Sequence, residues 1–164
     1  MSIDVDGDSI NDIIAVEEPT GAIKQVSVQS DGTLKAPVAI PTILDTKVIS
    51  LVAVDYDQLG TKELALISTN DDRLTMYRQT SGIWTREDQL FLGSGLRRVL
   101  ASDVNGDGKV DLVVLNDTGL RIVLNDTAPG GTLKYLTNVQ LTALPANTSA
   151  NVMDFADLNC DGLP

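Results

Sequence analysis

The residues best suited to chemistry in this sequence are oxygen-bearing side chains grouped in one short segment, DVNGDGKVD, at residues 103–111. Oxygen donors stand at positions 1, 3, 5, 7 and 9 of the segment, the seventh being a backbone carbonyl: Asp103, Asn105, Asp107, Lys109 and Asp111. Hard oxygen ligands in this number suit calcium, which accepts six to eight of them at about 2.3–2.6 Å in flexible geometry. The two glycines at positions 4 and 6 permit left-handed backbone conformations that let the side chains converge. The segment therefore predicts a calcium loop, and magnesium fits less well because it demands a stricter octahedron.

The acidic pattern recurs along the chain with a period of about 50 residues, which suits a propeller blade. The four copies begin at Asp4, Asp55, Asp103 and Asp157. The first copy has a complete set of predicted ligands, namely Asp4, Asp6, Asp8 and Asp12 with the carbonyl of Ile10. Two weaker copies keep part of the set, namely Asp55, Asp57 and Glu63 in the second and Asp157, Asn159 and Asp161 in the fourth. The second has Leu59 at position 5 and the fourth stops at Pro164 before position 9, so we expect metal chiefly in the first and third.

Two other interpretations of the acidic segments compete with calcium binding in loops of this kind. Asp, Asn and Gly favour tight turns by themselves, so a single copy could be an ordinary turn. An EF-hand loop would need a bidentate glutamate at position 12 followed by a helix. Ala15 and Val114 stand at that position in the first and third copies, which excludes the EF-hand.

The segments between the acidic motifs are short, apolar and rich in β-branched residues, and turn residues separate them. The predicted strands are residues 13–18, 22–29, 34–40 and 49–55, then 64–69, 73–80, 84–92 and 97–103, then 112–117, 120–126, 133–141 and 151–157. No helical periodicity is apparent, so the pattern predicts an all-β chain with four short strands per repeat.

Composition excludes several classes of function. The chain of 164 residues carries 12 basic and 23 acidic residues, a net charge of −11, and no histidine. So acidic a composition argues against nucleic acid as a partner, because phosphate binding needs clustered Lys and Arg. Histidine-dependent triads and zinc sites are excluded, and Cys160 alone forms neither a thiolate site nor an internal disulfide. The chain shows no signal peptide and no apolar run long enough to insert in a membrane.

Residues 82–117, GIWTREDQLFLGSGLRRVLASDVNGDGKVDLVVLND, resemble the FG-GAP/VCBS repeat, the blade unit of integrin-α-like β-propellers. That repeat carries a D-x-[DN]-x-D-G-x-x-D calcium loop between the first two strands of each blade. The resemblance covers the chain as three blades and the start of a fourth, at about residues 1–48, 49–96, 97–150 and 151–164. It implies the same calcium ligands in the first and third repeats. The literal Phe-Gly and Gly-Ala-Pro signatures are missing, and FLGSG at residues 91–95 is the nearest equivalent.

The resemblance implies a secreted or cell-surface protein that acts in adhesion or in binding a protein or carbohydrate ligand, with calcium stiffening the loops. Propellers typically close with four to eight blades, so we expect further blades from a longer chain or from another copy. An alternative is a non-catalytic propeller part of a larger secreted enzyme, such as a polysaccharide-degrading one. Tyr56, Trp84 and Tyr135 are candidates for stacking on sugar, but we favour the interpretation that they pack between blades or along strands. We regard sequons at Asn116, Asn125 and Asn147 as incidental to turns.

Overall fold

The described part of the chain forms twelve β-strands in three antiparallel four-stranded sheets, in a computed structural model that describes residues 2–4, 8–17, 19–40, 47–69, 72–80, 83–143 and 153–158. The first sheet contains β1 (Ser2–Ile3), β2 (Asp12–Glu17), β3 (Ala22–Val26) and β4 (Val38–Ile40). The second contains β5 (Val48–Val54), β6 (Glu63–Ser68), β7 (Arg73–Thr80) and β8 (Ile83–Phe91). The third contains β9 (Arg98–Ser102), β10 (Asp111–Asn116), β11 (Gly119–Asn125) and β12 (Tyr135–Ala143). Strand order in each sheet follows the chain, so every neighbouring pair is a hairpin.

The middle sheet is covered on both faces. Along β6, Leu64 and Leu66 pack in one hydrophobic cluster with residues of the first sheet, while Ala65 and Ile67 pack in a second cluster with residues of the third. Successive side chains of a strand point to opposite faces of its sheet, so a strand whose sheet is covered on both faces is expected to be apolar on both. All six residues of β6, ELALIS, are buried, and this explains why polar and apolar residues do not alternate along the strand.

The predicted fold class is confirmed: the described chain is all-β, with three blade-like sheets of four antiparallel strands. The prediction of a strand at residues 151–157 is wrong over residues 153–157, which lie outside any strand. Among the described residues no strand pairs with this segment, and without a pairing strand an extended segment has no ladder to join. Residues 151 and 152 lie outside the described part of the chain. The described residues form no helix, and so none that is long and apolar enough to cross a membrane.

The first two sheets approach each other closely at a glycine. Gly21 has φ of 72°, and a Cβ atom there would lie 2.6 Å from the backbone nitrogen of Val48 and 2.7 Å from Cα of Lys47. Only a residue without a side chain fits both the left-handed conformation and this contact. Gly21 therefore sets how near the first sheet comes to the start of β5.

Candidate metal centres

The first three acidic segments lie between the first and second strands of their sheets, and their described residues share one hydrogen bond. In every loop the carboxylate at position 1 accepts a hydrogen bond from the amide at position 6. The three donor and acceptor pairs are Ser9 N to Asp4 Oδ2 at 2.8 Å, Gly60 N to Asp55 Oδ2 at 3.0 Å, and Gly108 N to Asp103 Oδ2 at 2.8 Å. Because the loops occupy equivalent places in successive hairpins, the acidic residues recur once per sheet.

Left-handed backbone conformations at positions 4 and 6 produce this loop. Gly106 and Gly108 have φ of 75° and 82° in the third loop, and Gln58 and Gly60 have φ of 60° and 83° in the second. In the first loop Ser9 at position 6 has φ of 67°. A non-glycine residue rarely adopts this conformation, so the surrounding hydrogen bonds must hold Gln58 and Ser9 in it. The second loop thus keeps the backbone of the third although its sequence has diverged.

The acidic residue at position 9 is completely buried in all three loops, as Asp12, Glu63 and Asp111 each have 0% exposure. Each begins the second strand of its sheet. Asp111 accepts hydrogen bonds from the amides of Val104 at 3.1 Å and Asn125 at 2.8 Å. The sequence identified these carboxylates as metal ligands only. The structure adds a second role, because they also tie the loop to the strands around it.

Position 9 makes equivalent contacts in the other two loops. Asp12 Oδ1 accepts a hydrogen bond from the amide of Val28 at 2.9 Å, as Asp111 does from Asn125. Glu63 Oε2 accepts one from the amide of Tyr56 at 2.9 Å, as Asp111 does from Val104. Burial raises the pKa of Glu63, and the nearby charge of Asp57 raises it further. Burial likewise raises the pKa of Asp111.

The third loop holds its remaining acidic and amide groups in a local hydrogen-bond network. Asp107 accepts a hydrogen bond from the amide of Lys109 at 2.9 Å and another from the Asn105 side chain at 3.1 Å. Partial desolvation acts to raise the pKa of Asp103, but hydrogen bonds from the amides of Gly108, of Gly106 and of Asp107 outweigh it and hold that pKa below its ordinary value. The structure thus gathers Asp103, Asn105 and Asp107 on one turn, with buried Asp111 closing it.

The first loop matches the third where both are described. Asp8 Oδ1 accepts a hydrogen bond from the amide of Ile10 at 2.8 Å, the same contact that Asp107 makes with Lys109. Asp6 lies outside the described residues. In the fourth copy Asp157 is exposed, and Asn159 and Asp161 lie outside the described residues.

The second loop holds three carboxylates close together. Ligand oxygens of Asp55, Asp57 and Glu63 lie within 4.8 Å of one another, and among the described residues they are the group of acidic side chains that meets this condition and could hold a metal ion. Arg78, on β7, lies beside the group. Its Nη2 is 2.8 Å from Asp57 Oδ2 and its Nε is 3.4 Å from Glu63 Oε1. The sequence analysis did not identify Arg78, although it is a basic residue across a hairpin from the acidic loop.

The second and third loops are joined through Asn125, which has 0% exposure. Its side-chain amide donates hydrogen bonds to the carbonyls of Tyr56 at 2.8 Å and Val110 at 3.1 Å, one in each loop. Its Oδ1 accepts the amide of Thr127 at 2.9 Å. Asn116, with 2% exposure, makes the same turn with the amide of Thr118. The asparagine side chains of these two sequons are therefore buried at the start of turns, although Asp117 and Thr118 are exposed, and Asn147 lies outside the described residues.

The aromatic residues are not a sugar-stacking surface. Tyr56 and Trp84 are buried, with 0% and 7% exposure, and each belongs to a hydrophobic cluster between sheets. Tyr135 is partly buried against the same cluster as Tyr56, and the centroids of their rings are 5.8 Å apart. The packing interpretation is therefore correct, because faces covered by neighbouring sheets have no room for a ligand.

Comparison with known proteins supports the repeat assignment over part of the chain. Residues 103–164 match the family described as FG-GAP-like repeat. Neither the curated proteins nor the solved structures gave a match. The matched segment starts at the third acidic loop and includes the fourth. Repeats of this family often bind calcium and typically occur in extracellular proteins. The predicted resemblance to the FG-GAP repeat family is therefore confirmed as a match over residues 103–164.

Proposed function

We propose that this chain is a calcium-binding propeller segment of a secreted or cell-surface protein, and that calcium stiffens the loops between the first two strands of its blades. One observation carries the proposal: the first and third loops, whose sequences have full sets of oxygen donors, make the same two hydrogen bonds from backbone amides to the carboxylates at positions 1 and 5. That recurrence is unexpected of isolated surface turns, whose conformations are set only locally.

The proposed location follows from the affinity expected of such loops. Extracellular calcium modules bind with dissociation constants of about 10⁻⁴–10⁻³ M. Calcium concentrations outside a cell would load sites of that affinity, whereas cytosolic concentrations would leave them largely without metal. An extracellular location is thus the one in which calcium would occupy and stabilise these acidic loops.

For the role of the loaded segment, we propose adhesion or the binding of a protein or carbohydrate ligand, without catalysis. Backbone contacts or Arg78 engage the carboxylates of the second and third loops. A general acid and base pair would need two carboxylates facing a common open site. Buried Asp111 and Glu63 do not meet that requirement.

We further propose that the outer face of the first sheet meets another blade, from the same protein or from a second copy. Ile13 on β2 has 40% exposure, while Ile14, on the opposite face, has 2%. A blade with both faces covered, such as the middle one, buries both sets of positions. Light scattering of the purified chain distinguishes a monomer from a self-paired assembly, and a strictly monomeric chain would exclude the second copy.

The first test of the proposal is a calcium titration of the metal-stripped chain by calorimetry, with magnesium as the control metal. We expect about two sites per chain, selectivity for calcium and a calcium-dependent rise in melting temperature. Asp107→Ala should remove one of the sites, because it deletes an oxygen donor at the loop surface. Absence of both heat and thermal shift would refute calcium binding. A comparison of loaded and stripped protein on immobilised extracellular proteins and polysaccharides then tests ligand binding.

A further inference from the structure

The second loop differs from its neighbours in two ways that coincide. It lacks the oxygen donor at position 5, where Leu59 stands with 61% exposure. It is also the loop beside which a basic side chain lies: Arg78 contacts Asp57 at 2.8 Å, Glu63 at 3.4 Å and Glu87 at 3.0 Å. A lost oxygen donor and a gained positive charge thus occur in the same loop.

Strand register shows that the arginine is specific to the second loop. The pairs Leu64 with Tyr77, Ile13 with Val26 and Leu112 with Val123 are equivalent in the three sheets. One step further, the residues opposite position 9 are Arg78, Ser27 and Leu124 respectively. The serine and the leucine carry no charge, so the positive charge beside the loop is found in the second sheet alone among these three equivalent positions.

The guanidinium also replaces a backbone contact. In the first and third loops, one oxygen of the carboxylate at position 9 accepts a hydrogen bond from a backbone amide at or just after the end of the third strand of the sheet. The donors are Val28 and Asn125. In the second loop the corresponding residue is Glu63, whose Oε1 faces Nε of Arg78 instead. The additional methylene of glutamate relative to aspartate provides the reach. The contacts are ion pairs rather than aligned hydrogen bonds.

The burial of these groups makes a positive charge necessary. The side chains of Asp57 and Glu63 have 1% and 0% exposure, and that of Arg78 has 27%. Carboxylates removed from water are strongly destabilising unless a cation or hydrogen bonds compensate them. Arg78 reaches two of the three loop carboxylates through one edge of its guanidinium, a group that stays positively charged in proteins.

We propose that Arg78 is a built-in cation for the second loop, with the role that we propose for calcium in the first and third loops. The second blade then holds its loop without metal, and the chain binds two calcium ions rather than three. The inference rests on the proposed calcium function for its comparison with the other loops, but the role of Arg78 itself is testable in the absence of metal.

The metal-free test compares Arg78→Leu with Arg86→Leu, in which an exposed arginine of the adjacent strand β8 is changed in the same way. In chelator, Arg78→Leu should lower the melting temperature by about 5 °C or more relative to Arg86→Leu, because buried carboxylates lose their counter-charge. Equal melting temperatures for the two variants would overturn the proposal.

The metal-binding test measures calcium stoichiometry by calorimetry. Asp57→Asn should leave the wild-type stoichiometry unchanged, whereas Leu59→Asp combined with Arg78→Leu should raise it by one site. A loss of one site in Asp57→Asn would show that the second loop already binds metal and would overturn the proposal, even if Arg78→Leu failed to fold. If the wild-type chain bound no calcium while Arg78→Leu was still destabilised in chelator, the proposed calcium function would fail and the role of Arg78 would stand.

Discussion

Replacement of Asp111 by alanine tests whether the carboxylate at position 9 supports the fold as well as binding metal. The side chain has 0% exposure and accepts hydrogen bonds from the amides of Val104 and Asn125. Alanine leaves both amides without this acceptor, and an unsatisfied buried donor costs about 1–3 kcal/mol. We therefore expect Asp111→Ala to reduce the free energy of unfolding by about 2–6 kcal/mol in calcium-free buffer. For a chain of this size that corresponds to a fall in melting temperature of roughly 4–24 °C.

Asp107→Ala is the matched control, because it removes a carboxylate from the same loop at an exposed position. Its hydrogen bonds to the Lys109 amide and the Asn105 side chain are replaceable by water. In chelator we expect a change in the free energy of unfolding within about 0.5 kcal/mol. With calcium present, both variants should lose the stabilisation contributed by the third loop. Urea unfolding measures the free energy of unfolding of each variant, once in chelator and once with calcium.

The decisive quantity is the difference between the two variants in chelator. If Asp111→Ala and Asp107→Ala are equally stable there, the buried carboxylate contributes nothing to the fold beyond metal binding, and the assignment of a structural role to position 9 is wrong. A large difference in chelator with no calcium response in either wild type or variants would retain the structural role and remove the metal.

Three further predictions concern other parts of the same framework. Asn125→Ala should lower the free energy of unfolding by about 2–5 kcal/mol, because it removes the buried hydrogen bonds that join the second and third loops. An unchanged free energy in urea unfolding would refute this role. Gly21→Ala should be more destabilising than Gly32→Ala, because both glycines have positive φ but a Cβ atom collides with the second sheet only at Gly21; equal melting temperatures would contradict the close approach. Burial raises the pKa values of Glu63 and Asp111, so the folded metal-free protein takes up these protons more readily than the unfolded chain. The contribution of these two groups to stability should therefore rise as pH falls from neutral toward their ordinary pKa values of 4.5 and 3.8, so over that range the melting temperature of the wild type should rise relative to that of a Glu63→Gln, Asp111→Asn double variant, and parallel curves for the two proteins would refute the assignment.

Sequence pattern was sufficient for the strands because the apolar runs and the turn residues separate cleanly. Residues 64–69 and 112–117 were predicted as strands and correspond closely to β6 and β10. The sequence does not reveal which strands lie between two neighbouring sheets, since a continuous apolar run is compatible with several packing arrangements. Residues 151–157 have the composition of a first strand, yet the described residues 153–157 form none, because strand formation depends on a pairing partner as well as on composition.

For the loops, the sequence predicted the oxygen donors but not how the fold uses them. The sequence does not distinguish Asp103, Asp107 and Asp111, because all three are aspartates at ligand positions of the motif. Burial separates them: Asp107 is exposed, and Asp111 is enclosed by strands that only the folded chain brings together. Arg78 was missed for the same reason, because its relation to Glu63 arises from the pairing of β6 with β7 rather than from nearness in sequence.

The hydrogen bonds within the third loop bear on how calcium would be coordinated. An ionised carboxylate offers about four acceptor sites on its two oxygens. Asp103 uses three of them on amides, two at Oδ1 and one at Oδ2, so it retains about one for a metal and can act only as a monodentate ligand while those bonds persist. Asp111 accepts one amide on each oxygen and retains about two. Since these bonds already fix the turn, calcium would meet a preorganised loop and need not order the chain, which reduces the entropic cost of binding. Calcium should accordingly raise the melting temperature while leaving the far-ultraviolet circular dichroism spectrum of the folded chain almost unchanged, and a large calcium-induced gain of β structure would show that the loops are not formed in advance.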